Sequence, residues 1–202
     1  MIKFVFFDLD GVLVDACDWH KQALNLSLLE VANIMISDEE HYKIFNGLPT
    51  KTKLDILIKE KKIKEEQYQK ISQRKQEITI ELINSKCHID NSKIELISFL
   101  KNKNIIVCCY TNSIRKTAEL MLNKIGIIKK LDALITNEDV KYPKPNPEGY
   151  LTLINKFNAR KEECLIVEDS QNGILAAHES GANVLKVNCA KEVNIKLFEG
   201  KI

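Results

Sequence analysis

The sequence predicts an α/β chain: a parallel sheet with helices on both faces and an all-helical block inserted after the first strand. Three observations predict it. Phe4-Val5-Phe6-Phe7 is an unbroken apolar run rich in aromatic residues, as expected of a strand buried on both faces. From residue 89 onward, short apolar runs alternate with helical periodicity, the pattern of parallel strands joined by crossover helices. Between them, residues 16 to 88 carry helical periodicity and no strand pattern. A length of 202 residues, 45% of them hydrophobic, suits a core domain (1–15 and 89–202) with one inserted subdomain (16–88).

Each element has its own signal. Trp19, Ala23, Leu24, Leu26, Leu28, Val31, Ala32 and Met35 recur near spacings of 3 and 4, giving a first helix of about five turns. Asp15 is placed to cap it. Ser37 with Glu40 reads as a capping box for a short second helix, and Gly47-Leu48-Pro49-Thr50 as a turn. Leu54, Leu57 and Ile58 mark a third helix. Residues 59 to 86 are rich in Lys, Glu and Gln, with a thin apolar stripe through Ile63, Tyr68, Ile71, Ile78 and Leu82, so most of that stretch reads as a solvated helix face. Ser92 and Glu95 suggest a capping box before a helix carrying Ile94, Ile97 and Leu100. Ile105 to Tyr110 reads as the second strand, Ser113 as a cap for a helix that Gly126 stops, and Leu131 to Ile135 as the third strand. Asn146-Pro147 is an N-cap followed by proline at the first helical position. Cys164 to Val167 is a fourth strand, Gln171 to Ser180 a helix closed by Gly181, and Asn183 to Val187 a fifth strand.

Composition excludes several function classes. A net charge of +2 gives no field for steering nucleic acid, and no Lys/Arg block stands clear of acids. Six cysteines lack any C-x-x-C pair, which points to a reduced, cytoplasmic chain without a zinc site. Met1 leads almost directly into the first strand, leaving no room for a signal peptide, and no apolar run approaches the roughly 20 residues of a membrane span. Nothing in the sequence marks a subunit interface.

The chemistry concentrates after the strands. Asp8 and Asp10 follow the first apolar run, where a buried strand has no structural use for two acids. On a strand, residues i and i+2 point the same way, so both carboxylates would aim at one spot and repel unless a cation or shared proton joins them. Thr111-Asn112-Ser113 follows the second strand, Lys144 lies between two prolines after the third, and Glu168-Asp169-Ser170 follows the fourth. In open parallel sheets ligands bind beyond the carboxyl ends of the strands. Oxygen donors without histidine favour Mg²⁺, and hydroxyls, amides and a lysine suit phosphate oxygens.

Taken together, Asp8-Leu9-Asp10-Gly11-Val12-Leu13-Val14-Asp15, Thr111-Asn112-Ser113, Lys144 in Lys-Pro-x-Pro and Glu168-Asp169-Ser170 resemble the four motifs of the haloacid dehalogenase superfamily, in its β-phosphoglucomutase-like branch. Gly173, Ala176-Ala177 and Gly181 also match, and the resemblance spans about residues 2 to 188. It implies a Rossmann-like core with a helical cap, and a Mg²⁺-dependent phosphomonoester hydrolase acting on a small phosphorylated metabolite. In that pattern Asp8 is the nucleophile and Asp10 the proton carrier, which requires surroundings that let Asp10 hold a proton. Mg²⁺ is held by Asp8, the backbone carbonyl of Asp10 and Asp169, with Glu168 on the ion or one layer behind it. Lys144, Thr111 and the Asn112 amide balance charge on the phosphoryl group, and Ser113 adds a hydroxyl on the substrate side. From the cap, His20 matches a histidine common in the branch, and Lys51 can reach toward substrate.

Other readings have specific consequences. A calcium loop starting at Asp8 fails, because Gly11 is out of place and the twelfth position is Trp19. Asp169, Thr111 and Ser113 could each be simple helix caps. Trp19 fits packing as well as substrate stacking, and His41, His88 and His178 have no spacing that suggests a metal. The mutases of the branch resemble one another in a basic pair flanking the glycine of the cap turn. Here the positions around Gly47 are Asn46 and Thr50, both neutral, which argues for hydrolysis over sugar-phosphate mutation. A non-catalytic phosphate-binding module would have little reason to keep the nucleophile.

Overall fold

The aromatic run Phe4–Phe7 forms β1, with all four side chains buried, in a computed structural model that describes residues 1–202. The chain then divides into two compact units, Met1–Asp15 with His88–Ile202, and Ala16–Cys87.

The unit Ala16–Cys87 is helical throughout. It holds α1 (Cys17–Ala32), α2 (Asp38–Glu40) running directly into a wide turn at His41–Phe45, α3 (Thr50–Lys59) and α4 (Tyr68–Lys86). Leu24 and Leu28 from α1, Phe45, Leu54 and Leu57 from α3, and Ile71 from α4 close a core of their own. Each large apolar side chain so buried contributes roughly 1.5–3 kcal/mol. The cap of α1 is Ala16 and uses no side chain, so Asp15 does not cap it. Ser37 does cap α2, accepting the Glu40 amide at 3.2 Å, but Glu40 pairs with Lys62 instead of reaching back. The solvated stretch also buries one cation, Lys75, on the inner face of α4.

The other unit continues with α5 (Asn91–Asn102), β2 (Ile106–Tyr110), α6 (Arg115–Lys124), β3 (Ala133–Ile135), α7 (Glu148–Lys156), β4 (Cys164–Glu168), α8 (Gln171–Ser180), β5 (Asn183–Lys186) and α9 (Ile195–Phe198). The five strands form one parallel sheet in the order β3-β2-β1-β4-β5. β1 is central, with Phe7 level with Cys109 of β2 and Val167 of β4. Phe4, Phe6, Cys108, Tyr110 and Ile166 face Tyr150, Leu153 and Ala176–Ala177 of α7 and α8, while on β1's other side Phe7 packs edge-on against Phe198. The chain therefore reverses direction across the sheet beside β1, which is where parallel sheets open a crevice at their carboxyl ends.

Two further caps differ from the sequence expectation. Asp90, not Ser92, caps α5, its carboxylate accepting the Lys93 amide at 3.1 Å; the extended backbone at Asp90 (φ −118°, ψ 97°) is what a cap requires. The cap residue of α6 is Ile114, and Ser113 does not serve it. No helix is long and apolar enough to cross a membrane.

Candidate active site

The strand ladder delivers the first acid directly. β1 ends at Phe7, but the Asp8 amide still donates to Val167 O of β4 at 3.0 Å, so Asp8 is fixed as if it belonged to the sheet. The chain then leaves strand geometry. Gly11 adopts φ 91°, the Leu13 and Val14 amides both return to Leu9 O at 2.9 Å, and Gly11 N donates to Val14 O at 2.7 Å. Asp10 thus sits in a tight turn, and the two-residue repeat of a strand does not set its direction. Only glycine takes that φ without strain.

Asp8 and Asp10 accordingly find different partners. Asp8 Oδ1 accepts from Lys144 Nζ at 2.7 Å. Asp10 Oδ2 accepts from the hydroxyls of Ser113 at 2.8 Å and Thr111 at 3.3 Å, both from the segment that follows β2. The Ser113 amide closes this corner by donating to Thr111 Oγ1 at 3.0 Å. Ser113 and Thr111 are therefore turned to Asp10 and not to the start of α6.

Lys144 is the hub. It is 3% exposed, and its ammonium donates to Asp8 Oδ1 (2.7 Å), the carbonyl of Tyr110 (2.9 Å) and Glu168 Oε1 (2.5 Å). These three acceptors match the three protons of an ammonium. The acids Asp8 and Glu168 hold the lysine charged against a large burial penalty, and its pKa lies well above the ordinary lysine value. Its loop is fastened by Asn112, whose side-chain amide donates to Lys144 O at 3.0 Å and accepts from Lys144 N at 3.1 Å. The Asn112 side chain is thus engaged in orienting the lysine loop.

Glu168, the last residue of β4, is fully buried. It can lie against α8 because Gly173 has no side chain: a Cβ there would come within 2.0–2.1 Å of the carboxylate. Ser170 caps α8 by accepting the Gly173 amide at 3.1 Å, which removes the simple capping role for Asp169. Asp8, Glu168 and Asp169 bring one carboxylate oxygen each within 4.8 Å of one another. Burial, and next the charge of Glu168, push Asp8 well above the usual carboxylate range and lift Asp169 to about 7, while Lys144 opposes both.

This donor set fits a hard divalent cation. One ammonium faces three crowded carboxylates, all ligands are oxygen, and a further positive charge would relieve the repulsion that raises the Asp8 and Asp169 pKa values.

Two candidate residues lie in the helical unit. His20 on α1 has its Nδ1 3.4 Å from Lys75 Nζ, and Lys51 is exposed in the first turn of α3. His88 and His178 are exposed, while His41 is buried. The sequence reading missed Tyr150, whose hydroxyl donates to Glu168 Oε1 at 2.6 Å, and Tyr110, whose ring lies under Lys144. Both occupy apolar stripes where an aromatic residue reads as core. The available signal was Gly149, where any Cβ would fall 2.2 Å from the Tyr110 ring.

Comparison with known proteins agrees with this geometry. A family model described as haloacid dehalogenase-like hydrolase matches residues 5–187. The chain is 28% identical to a phosphorylated carbohydrates phosphatase of Thermotoga maritima, over 89% of this chain and 82% of the relative. It is 27% identical to a phosphoglycolate phosphatase of Haemophilus influenzae, over 98% of this chain and 90% of the relative. Among solved structures, a β-phosphoglucomutase from Clostridium difficile superposes with a TM-score of 0.84 at 25% identity, covering 100% of this chain and 97% of that one.

Proposed function

The chain belongs to the haloacid dehalogenase-like hydrolases, and from that premise we propose that it is a Mg²⁺-dependent phosphomonoester hydrolase of small phosphorylated metabolites, working through a phosphoryl group carried on Asp8. The observation that carries this reading is the Asp8–Lys144–Glu168 chain, two buried acids sharing one ammonium, beside a second acid, Asp10, held by two hydroxyls.

In the first step an Asp8 carboxylate oxygen attacks phosphorus, the new O–P bond forms, and the bond from phosphorus to the ester oxygen breaks. Asp10 gives its proton to the departing oxygen. The Ser113 and Thr111 hydroxyls on its Oδ2 hold the Asp10 carboxyl in place for that transfer. In the second step Asp10 takes a proton from water, the water oxygen attacks phosphorus, and the bond to Asp8 breaks to release inorganic phosphate. Lys144 opposes the rise in the Asp8 pKa and aims its carboxylate. As charge leaves Asp8 for the phosphoryl oxygens, the ammonium proton on Oδ1 becomes free to follow it. Asp8, Asp169 and the Asp10 carbonyl would hold Mg²⁺, which would supply charge neutralisation at the phosphoryl group.

The helical unit supplies selectivity as a cap, with His20 and Lys51 as its candidate contacts. Gly47, at φ 73°, turns the chain between Asn46 and Thr50, neutral side chains that give no cationic seat for the second phosphate a mutase must hold. The names of the Thermotoga and Haemophilus relatives support a phosphorylated carbohydrate or a small phosphorylated acid as substrate. A panel of such compounds, assayed with Mg²⁺ for phosphate release, tests the reading. Release from at least one is expected; isomerisation without release, or no turnover of any, overturns it.

A further inference from the structure

Tyr110 and Tyr150 are two buried aromatic residues that the reaction above leaves unused. Their rings meet edge to face, 4.9 Å apart at 86°, and the Lys144 ammonium lies over both, 4.6 Å from the Tyr110 centroid and 5.1 Å from that of Tyr150. A cation so placed is attracted by the ring faces. Their hydroxyls have opposite fates. Tyr150 donates to Glu168 Oε1 at 2.6 Å, whereas the buried Tyr110 hydroxyl makes no well-formed hydrogen bond and has only the Lys144 backbone near it.

The consequence falls on Glu168. Its Oε1 accepts from both Tyr150 and Lys144, at 2.6 and 2.5 Å, which uses the two lone-pair directions of a carboxylate oxygen. Its Oε2 lies 3.5 Å from Ser170 Oγ, and the whole group is fully buried against Gly173. Without Tyr150, Oε1 would have an open lone pair and a reason to turn toward any cation beside Asp8 and Asp169.

We propose that Tyr150 is a positioning residue that commits Glu168 to Lys144, one layer behind the cation site, and thereby keeps the ammonium on Asp8. The inference rests on the hydrolase reading for its rate effect alone; the cation-binding effect stands apart from it.

The experiment compares Tyr150→Phe with Tyr110→Phe in the full chain, using p-nitrophenyl phosphate for kinetics and calorimetric titration of substrate-free protein with Mg²⁺. Tyr150→Phe is expected to lose about 10–100-fold in kcat, with KM within about twofold. It is expected to bind Mg²⁺ about threefold or more tightly, because a freed carboxylate oxygen is a better ligand. General loss of structure cannot produce that pairing, since it weakens binding and rate together. Tyr110→Phe, which keeps the ring under Lys144 and removes no contact to Glu168, is expected to leave Mg²⁺ affinity unchanged. A Mg²⁺ dissociation constant in Tyr150→Phe that is unchanged or larger overturns the proposal, as does an unchanged kcat where the wild type is active. If the wild type hydrolyses no phosphomonoester, the hydrolase reading fails and Mg²⁺ affinity alone decides this one. Should Tyr150→Phe not fold, Tyr150→His restores an N–H donor: wild-type Mg²⁺ affinity supports the proposal, and tighter binding overturns it.

Discussion

The two units bury ionisable groups and resolve them in opposite ways. In the unit built on the sheet, Asp8 and Glu168 are buried and share the buried Lys144 ammonium at 2.5–2.7 Å, and these acids hold the lysine charged against its burial. In the helical unit the buried imidazole of His41 is driven neutral: burial, and then the charges of Lys53 and Lys21, lower its pKa to about 4. Ion pairs of the helical unit such as Arg74–Glu30, Lys43–Glu39 and Lys62–Glu60 lie on the partly or fully exposed surface, where such pairs contribute little. Charge kept in a low-dielectric interior acts strongly on whatever enters, and it is dangerous to disturb. The contrast separates a region arranged for chemistry from one with ion pairs at its surface.

The contrast breaks most sharply at Asp8. Asp8→Asn is nearly isosteric and leaves Lys144 with an acceptor, so the fold should survive while the nucleophile is lost. Turnover is expected to fall by at least about 10³-fold, since a covalent step has no substitute here. Phosphate release in the mutant, with circular dichroism confirming structure, is the check; wild-type turnover would sink the mechanism.

Next in size is Lys144→Met. It removes the ammonium but keeps the stem, leaving Asp8 and Glu168 buried without their shared partner. A cost of about 3–5 kcal/mol in stability is expected, together with loss of activity. Urea unfolding measures the first. A loss below about 1 kcal/mol would mean that the two acids are not held charged by the lysine.

How much of this was readable in the chain depends on the kind of signal. Strands and their alternation with helices were legible because apolar runs such as Phe4–Phe7 and Cys164–Val167 are short, continuous and followed by polar residues. Asp8, Thr111 and Glu168–Asp169 announced themselves in the same way, at or just after such a run, whereas Lys144 lies well past β3 and was marked by its flanking prolines. Caps were less legible. Ser92, Ser113 and Asp15 have suitable side chains, but capping depends on backbone φ and ψ, and Asp90 and Ile114 hold those conformations instead. Asp10 lies past the end of β1, where Gly11 ends strand geometry, yet its charge still adds to the rise in the Asp8 and Asp169 pKa values. Tyr150 was illegible because its ring belongs to the apolar stripe of α7, and only its last atom belongs to the site.

The helical side of the contrast can be sharpened through pH. An imidazole whose folded pKa lies near 4, against about 6.5 unfolded, is neutral in both states above pH 7 and adds no pH dependence there. Between pH 6.5 and 4 the unfolded chain binds the proton and the folded chain does not, so stability falls as pH falls; below pH 4 the loss is complete. Asp18 and Asp38 counteract Lys53 and Lys21 around the ring. From pH 7 to pH 5 the His41 contribution is expected to drop by about 1–2 kcal/mol. His41→Gln should remove that part of the slope, measured as the difference between wild-type and variant urea midpoints at the two pH values. Parallel slopes in the two proteins would place the proton-sensitive group elsewhere.

The smallest effect is the most diagnostic of how tightly the sheet unit is arranged. Tyr110 and Tyr150 share a packing environment, yet one hydroxyl is well bonded and the other is not. A buried hydroxyl without a well-formed bond costs about 1–3 kcal/mol relative to one that is bonded, so removing it should do no harm. Tyr110→Phe keeps the ring face under Lys144 and the close approach to Gly149, and deletes only the poorly bonded oxygen. It is expected to stabilise the protein by up to about 1 kcal/mol, a rise of about 2–4 °C in melting temperature for a chain of this size. Thermal unfolding of the single variant measures this. A lower melting temperature would show that the Tyr110 hydroxyl has a bonding partner in solution, and that the aromatic pair beneath Lys144 holds it by two polar contacts instead of one.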